Sequence, residues 1–157
     1  MREWLIDGFR YDLWANRRWL PLVSGALQKI EQPLWPDELP SDPQARMEEI
    51  FAHLLRAQRL WLSRLSPTVH ADGESWLADM NNAWIDLLAT RDLDEIVSYR
   101  NTKGIPFRHP VGKIAAHVVN HGTYHRGQLS ALAASMGVEG PETDLFLWQM
   151  ETSPLDA

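Results

Sequence analysis

Apolar residues recur at three- and four-residue spacing in four long stretches of this chain, and proline or glycine stands near the places where the pattern stops. That period marks amphipathic helices. Residues 2–28 carry the first, with Leu5, Phe9 and Leu13 at four-residue spacing and Trp4, Tyr11 and Trp14 beside them. Pro21 is expected to kink or interrupt it, because proline lacks the amide donor and crowds the preceding turn. Pro33, Pro36, Pro40 and Pro43 then make residues 31–43 a loop, long enough to carry function or to be a plain connector. Asp42-Pro43 pairs an N-cap with proline at the first helical position. It predicts a helix to about Leu65, with the stripe Met47, Ile50, Phe51, Leu54, Trp61 and Leu65. A third helix is expected over about 74–90, with Trp76, Met80, Trp84, Leu87 and Leu88 on one side. Residues 91–109 lose the helical period. Within them Ile96-Val97-Ser98-Tyr99 and Ile105-Pro106-Phe107 read as short strands around a turn at Thr102-Lys103-Gly104. The last helix starts near Pro110 and ends before Gly137, a natural C′ residue; at 1.5 Å per residue it is about 40 Å long. From Val138 the tail is irregular or briefly helical. The expected class is all-α, a four-helix bundle with long loops and a short β-hairpin between helices 3 and 4, as a single domain over residues 1–157.

Charge and composition narrow the function. Fifteen Lys and Arg against 21 Asp and Glu give a net charge of −6. Nucleic acid and anionic membrane both call for a basic face, so neither is an expected partner. The chain has no cysteine, which excludes disulfides, thiolate metal sites and a cysteine nucleophile together. The amino terminus lacks the apolar core of a secretory signal, and no apolar run approaches the ~18–20 residues of a membrane span. A soluble, cytoplasmic protein is expected.

Three of six histidines fall at i, i+4 and i+8 in the last helix: His117, His121 and His125. At ~100° per residue they occupy an arc of about 80°, shared with Ile114, Gln128, Leu129 and Leu132. Imidazoles in an apolar stripe are costly unless hydrogen-bonded or bound to a metal. Neighbours four apart can share one ion, but all three span about 12 Å of helix rise. Two ligands from this helix and one from another is the expected arrangement. The third comes from His53, His70 or His109; a helix fixes a ligand better than a loop does, which favours His53.

Other chemistry is sparse. His121 is followed by Gly122, so the HExxH pattern and its glutamate base are absent. Glu49 and His53 are four apart, not the three of a di-iron Glu-x-x-His pair. Trp4, Trp14, Trp61, Trp76 and Trp84 read most simply as core, whereas Trp35, in the proline loop, reads as part of a pocket or interface. Arg17, Arg18, Arg56 and Arg59 are candidate anion-binding groups, with solvated helix faces as the simpler reading. Glu139, Glu142 and Asp144 are the candidate free acids near a site. Arg126 lies away from the histidine arc and is expected to be structural or interfacial.

Tyr11-Asp12-Leu13-Trp14-Ala15-Asn16, the isolated His53, the run Asn120-His121-Gly122-Thr123-Tyr124-His125-Arg126-Gly127-Gln128-Leu129 and the closing Pro141-Glu142-Thr143-Asp144-Leu145 together resemble the DinB family of bacterial metal-dependent proteins. The resemblance runs over essentially the whole chain. It implies an up-down-down-up bundle and a divalent metal, zinc or nickel, held by His53, His121 and His125, with His117 outside the set. Similar proteins include transferases and isomerases that use low-molecular-weight thiols such as bacillithiol or mycothiol. The expected function is therefore metal-activated transfer or hydrolysis on a small-molecule substrate, with the water or thiol nucleophile supplied from outside. A non-catalytic metal-binding stress-response or interaction protein is the alternative. The resemblance and the abundance of tryptophan also suggest a homodimer.

Overall fold

The computed structural model describes residues 1–66 and 75–153. Its helices are α1 (Arg2–Trp19), α2 (Pro43–Leu65), α3 (Trp76–Thr90), α4 (Val111–Ser135) and α5 (Leu145–Thr152). Strands β1 (Ile96–Arg100) and β2 (Pro106–Pro110) form an antiparallel hairpin between α3 and α4. The fold is thus mostly helical with one small sheet. Among the described residues no helix is long and apolar enough to cross a membrane.

The first helix is shorter than its apolar period suggests. It ends at Trp19, and Leu20–Leu22 and Ser24–Lys29 continue as 3₁₀ turns. Pro21 has no N–H to give to the carbonyl four residues back, so the α-helix stops there. At α2 the local signals hold: the Asp42 carboxylate accepts from the Ala45 amide at 2.7 Å, and Pro43 follows. In the hairpin, Tyr99 pairs with Phe107 and Val97 with His109. Ile105 falls in the turn rather than the strand, and Gly104 adopts φ +77°, a conformation that favours glycine. The tail turns helical at Asp144, whose side chain caps α5 through the Phe146 amide.

α1 packs against α3 and α4, and α4 against α2. The core between them includes Leu5, Phe9, Phe51, Leu55, Leu62, Met80, Leu88 and Leu129. Phe9 and Trp84 stack at 4.7 Å across α1 and α3. Trp76 and Trp84 are core as expected, but Trp14 and Trp61 are only half-buried and Trp4 is 56% exposed. Leu5 and Phe9 define the buried line of α1, and Trp4 is turned away from it. Trp19, at the end of the same helix, is fully buried instead.

Candidate metal centre

Two faces of α4 do different work. On one, Gly122 and Arg126 meet α1. The Arg126 guanidinium donates to Asp12 Oδ1 at 2.6 Å and to Asn16 Oδ1 at 2.8 Å, and Asn16 donates to the other Asp12 oxygen at 2.9 Å. It also lies 5.1 Å over the Tyr11 ring, whose hydroxyl donates to the Thr143 carbonyl at 2.7 Å. Burial pushes the Asp12 carboxyl up against the pull of Arg126. Gly122 leaves the necessary room, since a Cβ there would lie 2.5 Å from Asp12 Oδ1. Arg126 is structural, as its place off the histidine arc suggests, but it is fully inside the protein.

On the other face His121 and His125 point toward α2 and meet His53. The Nε2 atoms of His53 and His121 are 3.3 Å apart, and those of His121 and His125 3.0 Å. The three ligand atoms lie within 4.8 Å of one another. Metal–nitrogen bonds of ~2.0–2.1 Å at tetrahedral angles put two nitrogens about 3.3 Å apart, so this spacing suits one small cation. His53 and His125 are buried and His121 is half-buried.

The far sides of the rings support the same fit. His53 Nδ1 hydrogen-bonds the Leu34 carbonyl at 2.8 Å, and His125 Nδ1 the Gln128 Oε1 at 2.7 Å. A carbonyl oxygen only accepts, so each Nδ1 carries the hydrogen and each Nε2 presents a lone pair to the centre. Gln128 is itself oriented by donating from its amide nitrogen to the Tyr124 hydroxyl oxygen at 3.1 Å. His121 Nε2 stands 3.3 and 3.0 Å from the Nε2 atoms of His53 and His125, so the three surround one point that a cation can take. Burial holds His53 down to about 4 and His121 down to about 3, each further depressed by neighbouring histidines. It lowers His125 as well, against the Gln128 hydrogen bond. The rings are therefore uncharged near neutrality, which is the form in which histidine ligates a metal, and the cluster could hold one.

The loop over the centre is held by residues read as anion-binding candidates. Buried Arg56 pairs with Glu49 and donates to the Lys29 carbonyl at 3.1 Å. Arg59 pairs with Glu31 and donates to the Ile30 carbonyl at 3.0 Å. These contacts fasten residues 29–31 to α2, and three residues later the chain delivers the Leu34 carbonyl and Trp35. The Trp35 ring stacks on His53 at 3.7 Å and stands edge-on to His125 at 6.0 Å. The proline loop thus brings Trp35 against the histidine cluster. The Leu34 carbonyl left no trace in residue type. Gln128 had one: an acceptor three residues beyond a ligand on the same helix. Arg18 is engaged with Glu151 at 2.6 Å.

The remaining candidates lie elsewhere. His117 is exposed, with its ring 5.6 Å from that of His121 and outside the cluster. His109 bonds Tyr99 on the hairpin. His70 is outside the described residues. Glu142 and Asp144 line a groove between α1, α4 and the tail that includes none of the three clustered histidines, so they are not acids of this centre.

Comparison with known proteins gives two matches. A model of the DinB family matches residues 5–154. "Protein DinB" of Bacillus subtilis (strain 168) is 21% identical over 174 residues, covering 97% of this chain and 98% of the relative. No solved structure matches.

Proposed function

The chain belongs to the DinB family, and on that premise we propose that it is a divalent-metal-dependent enzyme acting on a small molecule by group transfer or hydrolysis. The observation that carries this is the convergence of three Nε2 atoms whose partner nitrogens, on His53 and His125, are tied to carbonyl oxygens. Zinc and nickel both accept such an all-imidazole donor set. A bound divalent ion with three protein nitrogens keeps a position open to an outside ligand and makes that ligand more acidic. Leu34 and Gln128 keep the rings in the ligating tautomer, and Trp35 covers one side of His53 against water. The α4 segment offers no glutamate base beside His121, and the chain has no thiol of its own. The nucleophile is accordingly a water or a low-molecular-weight thiol from outside. The same reading takes the long helices as an up-down-down-up bundle, supported by the packing of α1 on α3 and α4 and of α4 on α2.

Calorimetric titration of zinc and nickel into apo-protein and into each His→Ala variant tests the centre. One ion per chain is expected, lost in His53→Ala, His121→Ala and His125→Ala and kept in His117→Ala. Loss with His117→Ala and retention with His53→Ala would overturn the ligand set. Incubation of the metal-loaded protein with small thiols and a panel of electrophiles and esters tests the reaction class. Turnover that survives in His121→Ala would refute metal activation.

A further inference from the structure

One turn N-terminal to His121 the groove between α2 and α4 opens into a cleft of about 440 Å³, closed at its far end by the hairpin. That volume is within the range of small-molecule sites. Its walls are aromatic: Trp61 stands edge-on to Tyr99 at 4.8 Å and to His117 at 5.5 Å, over an apolar floor at buried Ile114. The wall is braced from behind. Arg64 lies 4.4 Å over Trp61 and 5.0 Å over Tyr99 and donates to the Arg100 carbonyl at 3.0 Å.

The charged group of the cleft is positive, and the neutral Asn120, His117, Tyr99 and His109 stand around it. Lys113 stands on the first turn of α4 and makes no ion pair among the described residues. Tyr99 and His109 Nδ1 share a hydrogen bond of 2.9 Å. Whichever of the two gives that hydrogen, the neutral pair keeps one further donor, the His109 Nε2–H or the Tyr99 O–H. Among the described residues no carboxylate lines the cleft, although the chain carries 21 acidic residues. An ammonium with a neutral donor of the Tyr99–His109 pair matches the two oxygens of a carboxylate. The arginine fork that favours a phosphate is not among the described residues that line the cleft.

We propose that this cleft binds the ring of a small aromatic carboxylic acid, with the carboxylate on Lys113 and the Tyr99–His109 pair and the ring against the wall that Trp61 and His117 form together. None of the three clustered histidines lines the cleft, but it lies about 6 Å of helix rise from His121 along the same face of α4. It therefore serves the three-histidine centre by holding the ring of a substrate that extends one helical turn toward His121; that last step rests on the reading of the centre given above.

The probes are phenylacetate, neutral phenylacetamide and cationic phenethylamine, followed by amide and side-chain shifts in the isotope-labelled full chain. Phenylacetate is expected to bind at least about tenfold more tightly than phenethylamine, with its largest shifts at Tyr99, Lys113 and His117. Exposed Lys113→Ala should weaken phenylacetate about tenfold, and Lys113→Glu should reverse the preference toward the amine. The same preferences are expected in His121→Ala, which separates the two readings. Zinc binding without phenylacetate shifts in the cleft overturns the pocket alone, and phenylacetate in the cleft of a protein that takes no zinc overturns the centre alone. Equal affinity for acid and amine, or shifts mapping outside the cleft, also overturns the pocket.

Discussion

Gln128 touches no ligand atom of the centre, yet it fixes which nitrogen of His125 is free. Partners of this kind typically govern metal affinity by about 10–100-fold, and that loss is expected for Gln128→Ala by competition with a chromophoric chelator. A change under twofold would show that His125 needs no such support. Acid should act on the same rings. An unfolded histidine takes its proton near 6.5, whereas folded His53 waits until about 4 and His121 until about 3. Between those values the unfolded chain binds more protons, so the apo-protein is most stable above about pH 6.5 and weakens as the pH falls toward 4. Urea unfolding at several pH values measures this, and the decline should be shallower in His121→Gln. Equal slopes in the two proteins would dissociate the buried imidazoles from acid sensitivity.

Between elements, the α1–α4 clasp holds the face of α4 opposite its histidines. Asp12→Ala would leave Arg126 buried without its counter-charge, a change that typically costs about 3–5 kcal/mol. Replacing Arg126 by Met as well should recover part of it, since removing both charges is milder than stranding one. Gly122→Ala forces a methyl group against Asp12 and should cost about 1–3 kcal/mol. Chemical denaturation of the variants checks all three; an Asp12→Ala protein as stable as the parent would show that Arg126 finds another partner. The ends of the elements were legible in the sequence wherever a local rule governs them, as at Asp42-Pro43 and at Gly137. The clasp was not legible from spacing, because Asp12 and Arg126 are 114 residues apart and nothing local joins them. Family resemblance placed both in its motifs without saying that they meet. Trp4 misled for a related reason: α1 carries more apolar residues than its buried face can hold, and periodicity alone does not choose among them.

At the scale of the whole molecule the core does not depend on the ion. Phe9, Phe51, Trp84 and Leu129 are fully buried without any help from the histidine cluster. Chelation should therefore leave the helical circular dichroism in place, and metal should raise the melting temperature by mass action, equivalent to roughly 2.7 kcal/mol at a hundredfold excess over Kd. A random-coil spectrum after chelation would refute this. Of the three clustered histidines, the helical period brought forward His121 and His125 together with His117, the resemblance chose between the two pairs, and His53 was legible from its helical setting and the resemblance. The roof over them was legible only as a proline-rich loop, since its decisive contact is made by a backbone atom. That contact has a consequence for how the chain can vary. Any residue at position 34 supplies a carbonyl, so substitution there cannot delete the acceptor that orients His53. Adding or removing one residue between Glu31 and Trp35 would instead offer His53 a different part of the loop. The segment should accept many spellings of one length, whereas the support of His125 hangs on the identity of a single side chain.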